Sequence, residues 1–248
     1  MTFLPVLRSE WTKITTLRSA WLVPLVAAVL AVAVSAVTCA LIGDVQDLLV
    51  RDPSVVVHYG LLFGQLGFAA FGVTLLGREY GSGALAGSLA AVPRRGLLYG
   101  AKLAVGGGLG LALGAATSVG SCLVGRPFLT STAMGWRHAA AVRSTVAAAV
   151  YPALLVVLCL GLTALFGNLP AAMGVLLPGL FLGTSLVGAL PGGHVVQLFL
   201  PDKAGQYAMR LAADPAAVYP HAAGTAVLAG WAALAAYAGW RRFERRDA

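Results

Sequence analysis

Charge is what this sequence has least of, acid above all: nine Asp and Glu in 248 residues, and none of Asp, Glu, Lys or Arg from Ser144 to Pro201. A soluble domain of this length does not carry 59% hydrophobic residues with 10% charged ones, and the mean hydropathy of +0.85 points the same way. The chain reads as an integral membrane protein. The three cysteines (Cys39, Cys122, Cys159) lie in apolar runs without CxxC spacing, as small buried hydrophobes rather than a disulfide or metal set. Catalytic signatures are missing too. Gly96–Lys102 (GLLYGAK) has the wrong spacing for a phosphate-binding loop, and Gly106-Gly107-Gly108-Leu109-Gly110 does not complete GxGxxG. With no HExxH or GxSxG, hydrolase chemistry has no nucleophile to run on. The histidines (His58, His138, His194, His221) show no ligand spacing, so no metal and no other cofactor is expected.

Base is what remains. The net charge of +8 is not gathered on one soluble face but punctuates the apolar runs, which excludes nucleic acid as partner and is how topology signals are distributed. Charge-free intervals of about 20 residues count the spans. Six are expected, at roughly 21–43, 55–77, 103–125, 145–166, 171–190 and 221–240. With the termini on the cytoplasmic side, 11 of the 17 Lys and Arg fall inside, which fixes that orientation. No ionisable residue sits near the centre of a span, which argues against a proton-driven carrier and places the energy source in another chain.

Two polar stretches stand out. Residues 1–20 form a basic amphipathic helix, with Leu7, Trp11, Ile14 and Leu17 on one face and Arg8, Thr12, Lys13, Thr15 and Ser19 on the other. Such a helix lies in the membrane interface as an elbow, and Pro24 is expected to bend the chain into the first span. Residues 78–102 carry Arg78, Arg94, Arg95 and Lys102 against Glu79 alone, between two spans. Within them Leu85, Leu89 and Val92 recur at helical spacing, Ser82 is the expected N-cap, and Arg94 and Arg95 follow Pro93 at the expected negative end of the dipole. This short cytoplasmic helix has the shape for passing a push from a soluble partner into the bundle. On the outer side, 191–220 is too apolar for a free loop and too broken for a span, and reads as a re-entrant or interfacial lid. Glycines repeat at four-residue spacing (Gly60, Gly64; Gly106, Gly110, Gly114; Gly179, Gly183), which lets helices pack closely within the chain or against a second copy. Pro152 and Pro178 are expected to kink the fourth and fifth spans.

In order and spacing, SEWTKITTLRSAW, REYGSGALAGSLAAVPRRGLLYGAK, PDKAGQ and the terminal RRFERRDA resemble the membrane subunit (permease) of bacterial type-2 ABC transporters, in an actinobacterial-looking form. The resemblance covers nearly the whole chain. It implies an all-α membrane domain in the bacterial cytoplasmic membrane and an exporter role, with the chain itself no enzyme. The implied partners are a cytoplasmic ABC ATPase, a second permease copy or homologue and membrane lipid, with ATP bound by the ATPase. It makes Trp11, Lys13 and Arg18 elbow residues and Glu79, Tyr80, Leu85, Leu89, Arg94 and Arg95 the coupling element. One departure is Asn168, where the family often has a basic residue in the turn after the fourth span. The other readings are a stand-alone carrier or channel, and a non-transporting sensor or immunity subunit. The substrate, whether lipid-like, amphipathic or peptide, is not named by any polar constellation in the spans.

Overall fold

The computed structural model describes residues 2–42, 52–129, 134–212 and 217–245, and among them every regular element is a helix. In chain order these are α1 (Phe3–Thr16), α2 (Arg18–Ile42), α3 (Pro53–Val57), α4 (Leu61–Ser82), α5 (Ala84–Ala91), α6 (Arg95–Gly125) and α7 (Ala139–Phe166). Then come α8 (Leu169–Pro178), a π-helical turn (Gly179–Gly183), α9 (Thr184–Ala189), α10 (Gly193–Leu198), α11 (Pro201–Met209) and α12 (His221–Arg245). Among the described residues, five helices are long and apolar enough to cross a membrane: α2, α4, α6 with its 3₁₀ extension to Phe128, α7 and α12.

The fifth expected span, 171–190, is not one α-helix. Pro178 supplies no N–H, and the hydrogen-bonding register widens into the π turn before α9 resumes. The second interval is also divided. Its N-terminal end is the separate α3, N-capped by Asp52, whose carboxylate accepts the Ser54 N–H at 3.0 Å. The bend into the first span falls at Leu17, whose backbone is extended, and α2 runs on through Pro24. Pro152 likewise sits inside an unbroken α7.

Small residues set the helix spacing. A Cβ at Gly60 would meet the Ala31 carbonyl, and one at Gly64 would stand 3.0 Å from the Ala31 Cβ, so α4 lies directly on α2. Gly106, Gly110 and Gly114 press α6 in the same way onto Leu75, Ala153 and Ala149. Those repeats are spent inside the chain. Gly179 and Gly183 meet nothing within 4 Å among the described residues. The main core gathers Phe68, Phe71, Tyr151, Leu155, Val156 and Leu228 from α4, α7 and α12 around α7.

The 191–220 stretch folds back onto the bundle. A Cβ at Gly205 of α11 would strike the Tyr151 ring, midway along α7. The end of α11 is held from two sides. Arg143 donates to the Ala208 and Arg210 carbonyls at 2.7 and 2.6 Å, and Ser144 to Met209. Asp52 accepts the Leu211 and Ala212 N–H groups, both at 2.9 Å. Asp202, 1% exposed, comes with this element and accepts from Thr184 Oγ1 at 2.8 Å. The folded-back helix thus buries a carboxylate against the bundle.

Candidate functional site

At the end of the bundle where α1, α5 and the N-terminus of α6 meet, four charged side chains form one cluster, with Glu10 and Lys102 buried at its centre. Lys102 Nζ lies 2.7 Å from Glu10 Oε2 and 2.7 Å from Glu79 Oε1. Lys13 Nζ lies 2.6 Å from Glu10 Oε1, 3.0 Å from Glu79 Oε1, and donates to Ser88 Oγ at 3.0 Å. Lys102 is 2% exposed and Glu10 4%, so bringing them out of water costs several kcal/mol per ion. Two lysines against two carboxylates give zero net charge, and each lysine is shared by both acids, which offsets that cost. Burial pulls the Lys13 ammonium down, but the hydrogen bonds and charges of Glu10 and Glu79 outweigh it and hold its pKa above the ordinary lysine value. The cluster ties α1, α4, α5 and α6 together through side chains far apart in sequence.

An apolar floor lies beside the charges. Val6, Leu76, Leu98, Tyr99, Leu160 and Phe243 are buried together, and Tyr80, Leu85, Leu89 and Val92 pack against them half-buried. The expected face of α5 is therefore the one it uses, and its opposite side (Ala84, Ala86, Gly87, Ala90, Ala91) is exposed. Tyr99 Oη donates to the Ala236 carbonyl at 3.0 Å and stacks near Phe243, joining α12 to the same end.

Several expected placements change. Helix α5 spans Ala84–Ala91, about 12 Å at 1.5 Å per residue. Ser82 is the last residue of α4 and Gly83, in the left-handed region at φ 70°, takes the N-cap position of α5 and turns the corner, though the Ser82 Oγ still accepts the Ala84 N–H at 3.4 Å. Pro93 separates α5 from Arg94 and Arg95. Those residues are the N-cap and first residue of α6, at the positive end of its dipole and not the negative end of α5. Arg94 is exposed, and Arg95 reaches the Glu244 carbonyl at 3.4 Å. In α1 the buried stripe is Val6, Glu10 and Ile14, so Trp11 and Leu17 are exposed; pairing Glu10 with Lys102 rolls the helix that way. Arg18 begins α2, and its side chain lies outside the described residues. Glu79 points inward to the cluster and not to a partner surface.

Glu10, Ser88 and Lys102 are the site residues that sequence reasoning missed. Their signal was present: Glu10 lies four residues from both Val6 and Ile14, and Lys102 stands between Ala101 and Leu103 in an apolar helix. Asn168, singled out as a departure, N-caps α8 by accepting the Ala171 N–H at 2.7 Å. No family model, curated protein or solved structure matches this chain.

Proposed function

We propose that this chain is the membrane subunit of an ATP-driven exporter in a bacterial cytoplasmic membrane, worked by a separate ATPase that docks against α5 and the residues around it. The observation that carries the reading is the charge cluster. It joins α5 and α1 to α4 and α6, two helices of spanning length, so a load on α5 moves spans and not a slack loop. The exposed Ala and Gly side of α5 and the exposed Arg94 form the face offered to the ATPase. Helix α1 is the elbow, its exposed Trp11 at the lipid interface. Both termini are cytoplasmic, six segments cross or enter the membrane, α10 and α11 form the outer lid, and two such subunits make the working transporter.

Uptake of substrate into inside-out vesicles holding both proteins tests the reading. Transport should require ATP and the ATPase, and should persist when the proton gradient is collapsed. A second reading, a proton-coupled carrier, is favoured by Asp202, whose carboxyl is pushed up by burial and whose Oδ1 has no hydrogen-bond partner among the described residues. Transport by the chain alone in liposomes, driven by a pH step and abolished by Asp202→Asn, would establish that reading and overturn the first.

A further inference from the structure

Between α3, the start of α4, α7 and α11, at the opposite end from the charge cluster, lies a cavity of about 130 Å³. Val55, Leu61 and Met209 give it an apolar wall, and His58, Tyr151, Gln206 and Arg210 a polar one. His58 is 6% exposed, yet neither ring nitrogen has a hydrogen-bond partner among the described residues. Gln65, 1% exposed, is in the same state at Nε2, while its Oε1 accepts from Tyr151 Oη and, at 3.5 Å, from Gln206 Nε2. Buried polar groups are satisfied with few exceptions, so the orphaned His58 ring on the cavity wall, with the orphaned Gln65 amide behind Tyr151 and Gln206, needs a partner that fills the cavity.

The chemistry of that partner follows from the walls. Burial lowers the His58 pKa to about 4, which leaves the ring neutral near pH 7, with one donor and one acceptor to offer. The neighbouring Asp52 carboxylate is committed to Ser54, Leu211 and Ala212, and Arg210 is exposed. A charged ligand group would lose its hydration here without an opposite charge committed to it. A hydroxyl supplies one acceptor and one donor, the complement of a neutral imidazole. Apolar cavities of roughly 150 Å³ accept a benzene ring.

We propose that this cavity binds the hydroxyl-bearing end of a neutral amphipathic molecule, an alkyl or aryl alcohol about one ring in size. Binding is measured on the isolated chain and does not depend on the transport reading.

The test uses 4-fluorophenol and fluorobenzene as probes on the wild-type chain in nanodiscs, followed by fluorine NMR against empty nanodiscs. The expected result is saturable binding of 4-fluorophenol, about tenfold tighter than fluorobenzene, the margin one net hydrogen bond gives. A ring-¹⁵N-histidine spectrum should show a shift at His58 alone, assigned in a chain carrying His138→Gln, His194→Gln and His221→Gln. His58→Phe should reduce 4-fluorophenol affinity to that of fluorobenzene. The wild-type comparison decides the matter if that variant does not fold. Uptake no greater than in empty nanodiscs, equal binding of the two probes, or an unperturbed His58 ring would each overturn the proposal and leave the cavity hydrated only.

Discussion

Lys102 stands in an apolar helix at 2% exposure, and its ammonium is tolerable there only because Glu10 and Glu79 both lie 2.7 Å away. Removing it leaves the two carboxylates with only Lys13, whose side chain is 40% exposed, to balance them. Lys102→Met should therefore cost about 3–5 kcal/mol, the range for breaking a buried pair on one side. Glu10→Gln with Lys102→Met, which removes one charge of each sign, should recover part of that loss; thermal unfolding in detergent measures both. Lys13, with its side chain 40% exposed, should matter less to stability. At the other end, His58 sets a pH dependence. Its pKa falls from the ordinary 6.5 to about 4 through burial, against the opposing charge of Asp52. Between those values the unfolded chain binds a proton that the folded chain does not, so stability is lost as pH falls from about 6.5 toward 4. Tyr59, Tyr151 and Arg210 are the other ionisable groups around the same cavity. The melting temperature should drop across it in the wild type and drop less in His58→Phe.

Among the elements, α5 has the feature that most rewards perturbation. It is eight residues long and has no buried residue of its own, so the Leu85–Leu89–Val92 face and the Lys13–Ser88 hydrogen bond hold it in place. Leu89→Ser should loosen α5 while leaving the long helices folded. The expected readout is transport reduced at least fivefold, with unchanged membrane insertion and broadened spin-label distances between α5 and α1. Sharp, unaltered distances with full transport would show that α5 is not the lever. The glycine repeats give a sharper contrast. Gly60→Leu forces a side chain into the Ala31 carbonyl and should cost several kcal/mol or prevent folding. Gly183→Ala meets no atom within 4 Å among the described residues and should leave monomer stability unchanged. Should Gly183→Ala instead disperse an oligomer on size exclusion, the open π-turn face is where copies meet.

For the whole molecule, orientation is the quantity to measure. The five helices of spanning length make the chain multi-pass, and the proposed orientation puts the charge cluster on the cytoplasmic side. Single cysteines at Arg94 and Arg126, in a background lacking the three buried native ones, should be labelled from opposite sides of intact cells. Arg126 should react from outside and Arg94 only after permeabilisation. Labelling of both from one side would mean that α6 does not cross, and the functional reading would lose its frame.

Membrane character, helical class and the positions of most long helices were legible in the sequence, because insertion depends on local apolar length and needs no knowledge of neighbours. So was the inward face of α5, since helical periodicity is a property of one segment. Three things were not. The fifth interval gives way to a π turn at Pro178 and Gly179, a choice of hydrogen-bonding register that hydropathy does not report. Lys13 and Lys102 counted as topology signals until Glu10 and Glu79 stood beside them, and Lys102 and Glu10 are 92 residues apart. Asp202 is harmless in a loop and consequential only where α11 folds back beside Tyr151. Sequence patterns report what one segment prefers in lipid or water. Which charges pair and which polar groups are left without a partner depends on distances between segments, and these only the packed bundle decides.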